Sequence, residues 1–397
     1  MLRVPAFRRV WLSSLASNAG SWLQVVAAGW LVYHLTKSEA AVGALALVAR
    51  LPAIALSTVA GHLADRFDRR LVGIVTASAQ AAAAAGLAVS AAFGVLSVPL
   101  IFVFTFLVGI GFALGLPATL ALIGELAGRD RLPAAVRLNA AGINVARLIG
   151  PTIGGFVLAV GSPAACFTLN AVSFFGLVAV LARMPAVRPS GHASSASTRD
   201  ALHHARSDPA ARRLLIGAGV FCVLASPLQE LAPVVAERVG GGKSGLGLLL
   251  GLMGGGGIAG AWILARLERR GLPRHLALPI GTGLFAVGMA TVAVAKAEWL
   301  ALIGMGIGGV FWIWMFTLTN TAIQLTSPPA LLGRMLGLYQ LAVIGPIAIG
   351  SLIAGGIAQA VGIGPSLGLC AALLAVFGVW GFLSPVREID DLSATRA

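Results

Sequence analysis

Charge is what this chain most lacks. Only 11% of its 397 residues are charged and 14 are acidic, against 58% hydrophobic, where a soluble domain carries about a quarter charged residues. With a mean hydropathy of +0.93, a soluble globular fold is excluded. Cysteine is as scarce. Cys166, Cys222 and Cys370 stand singly inside apolar runs without CxxC spacing, which leaves neither a disulfide framework nor a thiolate metal site. The six histidines (His34, His62, His192, His203, His204 and His275) fall at the ends of apolar runs or in one polar stretch, with no HExxH pattern. His203-His204 reads as a solvated pair rather than a metal site. No GK[ST] follows the glycines at Gly254–Gly257, so they form no phosphate loop. The expectation is no enzyme, no cofactor and no metal.

What the chain has instead is long apolar runs. A helix needs about 20 apolar residues to cross the roughly 30 Å hydrocarbon layer. Twelve runs meet that length, at about 10–35, 40–62, 71–93, 97–124, 135–160, 163–183, 213–236, 245–266, 275–295, 299–324, 334–360 and 364–384. The fold class expected is all-α integral membrane, with twelve transmembrane helices. Arg3, Arg8 and Arg9 precede a first run of about 25 residues without a small-residue cleavage site, so that run reads as a span rather than a signal peptide.

The net charge of +14 would point to nucleic acid in a soluble protein. Here the basic residues lie in short links and no nucleic-acid motif accompanies them, so membrane topology explains them better. The N-terminus, the C-terminus and the links between spans 2–3, 4–5, 6–7, 8–9 and 10–11 hold 22 Lys and Arg. The opposite links hold 4: Lys37, Arg238, Lys243 and Lys296. Positive residues favour the cytoplasm, which predicts that both termini are cytoplasmic. Trp11, Trp30, Trp262, Trp299 and Trp380 fall near span ends, as interfacial anchors do.

One long polar stretch, Met184–Ala211, is rich in Pro, Ser, Arg and His and reads as a flexible cytoplasmic linker. It divides the chain into an N-terminal six-helix half (1–183), a linker (184–212) and a C-terminal six-helix half with a short tail (213–397). The halves echo one another. Gly61-His-Leu-Ala-Asp-Arg-Phe-Asp-Arg-Arg70 after span 2 is matched two hundred residues on by Ala261-Trp-Ile-Leu-Ala-Arg-Leu-Glu-Arg-Arg270 after span 8. Ile149-Gly-Pro151 in span 5 recurs as Ile344-Gly-Pro346 in span 11. Such duplication is a repeat signature, and transporters built from repeats place their substrate site near the midplane, between repeats.

At Gly61, Asp65, Arg66, Arg69 and Arg70 the sequence resembles the major facilitator superfamily, whose signature lies between helices 2 and 3. Arg50-Leu-Pro52, Ala64-Asp-Arg-Phe-Asp-Arg-Arg70, Asn144-Val-Ala-Arg147-Leu-Ile-Gly150-Pro151, Gly154-Gly155 and Gly333-Arg334 extend the likeness toward the bacterial branch of enterobactin exporters and macrolide efflux proteins. Two departures stand out. Asp68 occupies a position where the general signature has Gly. Of the antiporter signature of helix 5, only the end is present, as Gly150, Pro151, Gly154 and Gly155. The resemblance implies a secondary transporter and favours antiport. It also implies that Asp65 helps latch the halves in the outward-facing state; its repeat partner is Ala265, so the latch would be asymmetric.

An Arg at a helix centre costs about 2.5–3.5 kcal/mol on insertion scales, so ionisable groups inside spans need protein, water or a partner. Arg50 and Arg147 lie about ten and twelve residues into spans 2 and 5, roughly 15–18 Å deep. Glu230, between Pro227 and Pro233, is the one carboxylate well inside a span. It is the candidate for proton coupling, or else the structural partner of an arginine. Arg50 and Arg147 are candidates for drawing an anionic group of the substrate, or for satisfying broken-helix carbonyls. Polar stripes at Ser14, Ser17, Asn18 and Ser21, at Ser226, Gln229 and Glu230, and at Thr317, Asn320, Thr321 and Gln324 mark spans 1, 7 and 10. The resemblance puts those spans at the central cavity, although polar residues also join helices. Asn18, Gln229 and Asn320 are therefore cavity candidates, and Trp22 and Trp312 could offer flat surfaces to a substrate.

The reading is a proton-coupled exporter of a small amphipathic compound, drug or siderophore-like, in a bacterial inner membrane. Its partners would be a small-molecule substrate, protons and membrane lipid, without nucleic acid, and it would act as a monomer. The alternatives are an uptake symporter or lipid flippase on the same fold, or a non-transporting membrane sensor or assembly factor.

Overall fold

The computed structural model describes residues 4–128, 131–185, 198–328 and 331–386. These form α1 (Pro5–Thr36), α2 (Glu39–Ala55), α3 (Ser57–Arg66), α4 (Arg69–Ala92), α5 (Val98–Ala127), α6 (Leu132–Val160), α7 (Pro163–Ala182), α8 (Thr198–Ser207), α9 (Pro209–Ala225), α10 (Pro227–Glu230), α11 (Ala232–Arg238), α12 (Gly242–Arg269), α13 (Arg274–Val294), α14 (Glu298–Thr326), α15 (Leu332–Val361) and α16 (Ile363–Leu383). No strand occurs among the described residues.

Ten segments among the described residues are helices long and apolar enough to cross a membrane, corresponding to expected spans 3 to 12. The first two spans take another form. Helix α1 has 32 residues, about 48 Å at 1.5 Å per residue, but its serines and asparagine dilute its hydropathy. Span 2 is divided into α2 and α3 at Leu56, shortly after Pro52. Proline lacks an N–H and crowds the preceding turn. Span 7, expected as one helix, is also divided, into α9, α10 and α11, with prolines at the starts of α10 and α11.

The helices group into two units. The first comprises Met1–Lys37 and Val48–Ala193, the second Ser38–Leu47 and Ser194–Ala397. In the first, α1 packs along α6 and α7, and α4 along α5 and α7. Phe7, Val10, Leu122, Ile123 and Leu181 form a core at one end, each at most 3% exposed. Polar contacts fix the seams. The Asn170 side-chain amide donates to Gln24 Oε1 (2.7 Å), and Trp11 Nε1 donates to the Leu138 carbonyl (3.1 Å). In the second unit α12 and α13 each pack against α14, α13 against α16, and α9 against α15. Backbones touch where side chains are absent. A Cβ on Gly309 would strike the Met253 carbonyl, and one on Gly260 the Val310 carbonyl. Trp314 Nε1 donates to Gly260 O at 2.8 Å across the same α12–α14 seam.

Two further sequence expectations change. Trp30 is not an interfacial anchor: it is 5% exposed and stacks on His34. Trp262, Trp299 and Trp380 are more than half exposed, as anchors should be. The second part of the expected flexible linker is helical. In α8, Ala201 and Ala205 recur at the four-residue helical spacing and are buried, packed beside α9 and α15. Asp208 then caps α9 by accepting from Ala211 N at 2.8 Å.

Candidate functional site

The signature loop follows from short-range chemistry. Helix α3 ends at Arg66, which lies 3.4 Å from His62 one turn back. Gly61 has open space beside it. Asp65 lies in the last turn of α3, and its side chain falls outside the described residues. Asp68 is the N-cap of α4: its Oδ1 accepts from Arg70 N (2.8 Å) and Leu71 N (3.4 Å). Asp is among the best N-caps because its short side chain reaches the orphan amides. Arg69 then forms a hydrogen-bonded ion pair with Glu125 at the end of α5. Arg70 donates to the Leu181 (2.8 Å) and Ala182 (2.7 Å) carbonyls, closing the C-terminus of α7. So Arg69 and Arg70, legible in sequence as topogenic charge, tie three helix ends of the first unit together. Glu125 was not singled out from the sequence. The available signal was a carboxylate immediately past an expected span, in a basic link.

The second copy of the motif has diverged. Glu268 is one methylene longer than Asp68 and stays inside α12, where it pairs with Arg274 at 3.0 Å. Arg266 lies over the Trp262 ring (5.4 Å), and Arg269 donates to Ala265 O of its own helix (3.1 Å). The helix ends at Gly271, whose φ of +87° suits glycine at a helix C-terminus.

The Gly150-Pro151-x-x-Gly154-Gly155 segment is the seam between α6 and α1. A Cβ on Gly150 would fall 2.6 Å from Trp22 Cβ, and one on Gly154 3.0 Å from the Leu23 Cα. Pro151 and Gly155 are buried beside them. Trp22 is half-buried and lies directly over Gly150. In the serine stripe of α1, Ser14 and Ser17 are buried, with Ser17 donating to Ser14 O at 3.1 Å. Asn18 and Ser21 keep partial exposure. Arg50, two residues before Pro52, and Arg147, three before Gly150, are half-buried and engaged with other groups.

In the second unit the break in span 7 carries Gln229 and Glu230, both half-buried, on the four-residue α10. Glu230 is likewise engaged. Pro227 supplies no N–H to the Val223 carbonyl. That carbonyl instead presses on Gly350 of α15, where a Cβ would not fit. Ser226 hydroxyl donates to Ile347 O (3.3 Å) and lies 3.2 Å from the Ser351 hydroxyl. Discontinuous helices of this kind are where repeat-built transporters bind substrate and coupling ions. Asn320 Oδ1 accepts from Gln324 Nε2 one turn on in α14 (2.5 Å). Trp312 is 7% exposed at the centre of an aromatic cluster, 5.9 Å from Phe221, 5.9 Å from Phe285 and 5.0 Å from Phe316. Among the described residues no group of histidines, cysteines and carboxylates is placed to hold a metal ion.

Comparison with known proteins agrees with this geometry. The enterobactin exporter EntS of Shigella boydii is 26% identical over 366 residues, covering 89% of this chain and 85% of that protein. EntS of Citrobacter koseri is 26% identical over 370 residues with the same coverage. Solved structures share the fold at low identity. A peptide transporter, POT, superposes with a TM-score of 0.76 at 14% identity, covering 97% of this chain and 95% of that one. The nucleoside transporter NupG gives 0.71 at 13%, covering 95% and 99%. A bacterial homologue of the lysosomal transporter Spinster gives 0.70 at 15%, covering 97% and 98%. These neighbours have the major facilitator fold expected from the sequence, and the relatives are transporters rather than enzymes. The model of the transmembrane secretion effector family matches residues 1–396, and this multi-pass small-molecule transporter belongs to that family of the major facilitator superfamily.

Proposed function

We propose that the protein is a proton-coupled exporter of a small amphipathic compound bearing acidic or polar groups. The observation that carries this reading is the break in span 7, which puts Glu230 on a short, separate turn inside a membrane span. A carboxylate within a span is costly and is a functional-site hypothesis by default. The first unit contributes Arg50 and Arg147, two cations within spans 2 and 5, which suit an anionic group on the substrate. The similarity to enterobactin exporters supports export and this class of cargo. The excess of 22 Lys and Arg over 4 on opposite links supports a bacterial inner membrane protein with both termini cytoplasmic. In this reading 1–183 and 213–397 act as the two repeats.

The experiment is substrate-triggered proton movement in proteoliposomes, comparing wild type with Glu230→Gln, with enterobactin as the anionic probe and a macrolide as the cationic one. Proton flux with the anionic probe, lost in Glu230→Gln, is expected. Substrate movement with no proton flux, unchanged in Glu230→Gln, overturns the coupling role and favours uniport or lipid flipping.

A further inference from the structure

The two units differ at the end where the linker joins them. In the first, the space among the ends of α1, α4, α5 and α7 is filled by Phe7, Leu122, Ile123 and Leu181. In the second, the matching ends of α9, α13, α14 and α16 leave a cleft with a cavity volume of about 80 Å³. Protein interiors rarely keep voids larger than a water molecule, and this space equals roughly two to three waters at about 30 Å³ each.

The chemistry of the cleft is divided by depth. Its rim holds Arg213, the fifth residue of α9, His275, the second residue of α13, and Ser384, which follows α16. Its walls include Leu278, Met315 and Phe377. Thr282 is deeper, about 12 Å along α13 at 1.5 Å per residue, and its hydroxyl donates to Leu278 O at 3.0 Å. The interior is thus mostly apolar, its only polar side chains among the described residues being Thr282 and Thr319, which suits hydrocarbon better than a water cluster. Among the described residues no carboxylate lines the cleft. Beside it lies the outward face of α16, where Val376, Val379 and Trp380 are more than half exposed, Trp380 also lining the cleft. Gly217 of α9 faces Phe377 of α16 with room for a side chain, since a Cβ there would be 3.7 Å from the ring.

We propose that this cleft holds one anionic phospholipid from the leaflet on the linker side. Its phosphate lies at Arg213 and His275, and the first methylenes of an acyl chain fill the space against Met315 and Phe377. The positive rim, the apolar interior and the position at a helix-end layer beside a lipid-facing surface together select a lipid over a soluble anion. A basic residue near the surface attracts anionic lipid by an energy that amounts to about fivefold in affinity. The site is separate from Glu230, so its test does not depend on the transport reading.

The test uses full-length protein in nanodiscs of phosphatidylcholine with increasing phosphatidylglycerol, with retained lipids counted by native mass spectrometry. Wild type should keep one phosphatidylglycerol about fivefold in preference to phosphatidylcholine. Arg213→Gln should bring the two to parity, Arg213→Lys should retain the preference, and Gly217→Leu should exclude the bound lipid by filling the cleft. Arg213 is exposed, so its substitution leaves the core intact and tests the idea even if Gly217→Leu folds poorly. Equal retention of both lipids by wild type overturns the proposal. A preference that survives Arg213→Gln, or displacement of the lipid by soluble glycerol phosphate, does so too.

Discussion

The Arg69–Glu125 pair makes a quantitative prediction, because sequence and structure read Arg69 differently. As topogenic charge, Arg69 has no specific partner, and replacing Glu125 should matter little. As half of an ion pair, each residue depends on the other. The two side chains are 13% and 17% exposed. Exposed pairs contribute about 0–1 kcal/mol, while removing one partner from a fully buried pair costs about 3–5 kcal/mol. This pair lies mostly out of solvent but at a loop, so Glu125→Gln or Arg69→Gln should each cost about 2 kcal/mol, roughly thirtyfold in the unfolding equilibrium. Among the described residues Glu125 Oε2 is buried without a hydrogen-bond partner, a condition that costs about 1–3 kcal/mol in its own right. The apolar double replacement Arg69→Met/Glu125→Leu should therefore lie close to wild type, because both desolvation costs vanish with the charges. A double-mutant cycle by SDS-driven unfolding in mixed micelles, followed by helical circular dichroism, measures the coupling. A double variant as unstable as the sum of the singles would refute the pairing and return Arg69 to a purely topological role.

Three further outcomes follow from the same packing. Asp68→Ala should destabilise by about 1 kcal/mol through loss of the α4 cap, whereas Glu268→Ala, which breaks a pair 25% and 31% exposed, should cost less than about 1 kcal/mol; unfolding of the two variants distinguishes the diverged motif copies. Gly150→Ala should cost about 1–3 kcal/mol by overpacking against Trp22, with Gly176→Ala, where nothing lies within 4 Å, as the neutral control; equal stability would remove the α1–α6 seam as the reason for glycine. Arg238 donates to the Val292 (2.6 Å), Ala293 (3.2 Å) and Ala295 (3.0 Å) carbonyls, so Arg238→Gln should fray the end of α13, detected as faster amide exchange there and not at Leu181–Ala182, which Arg70 holds.

The sequence determined the membrane-spanning class, ten of the twelve expected spans among the described residues, and the superfamily. Bilayer thickness imposes a run length that is read locally, and loop motifs such as Gly61–Arg70 keep their spacing. It also carried the prolines at 227 and 233 that divide span 7. Only the tertiary structure decided that Trp30 is buried, that Trp312 sits among Phe221, Phe285 and Phe316, and that Glu125 receives Arg69. It alone showed Val223 O against Gly350, a filled helix-end core within the first unit, and an open cleft within the second. The reason is the solvent. Lipid tails are as apolar as leucine, so a span facing lipid and one facing protein have the same composition, and hydropathy along a helix cannot say which neighbour each face meets.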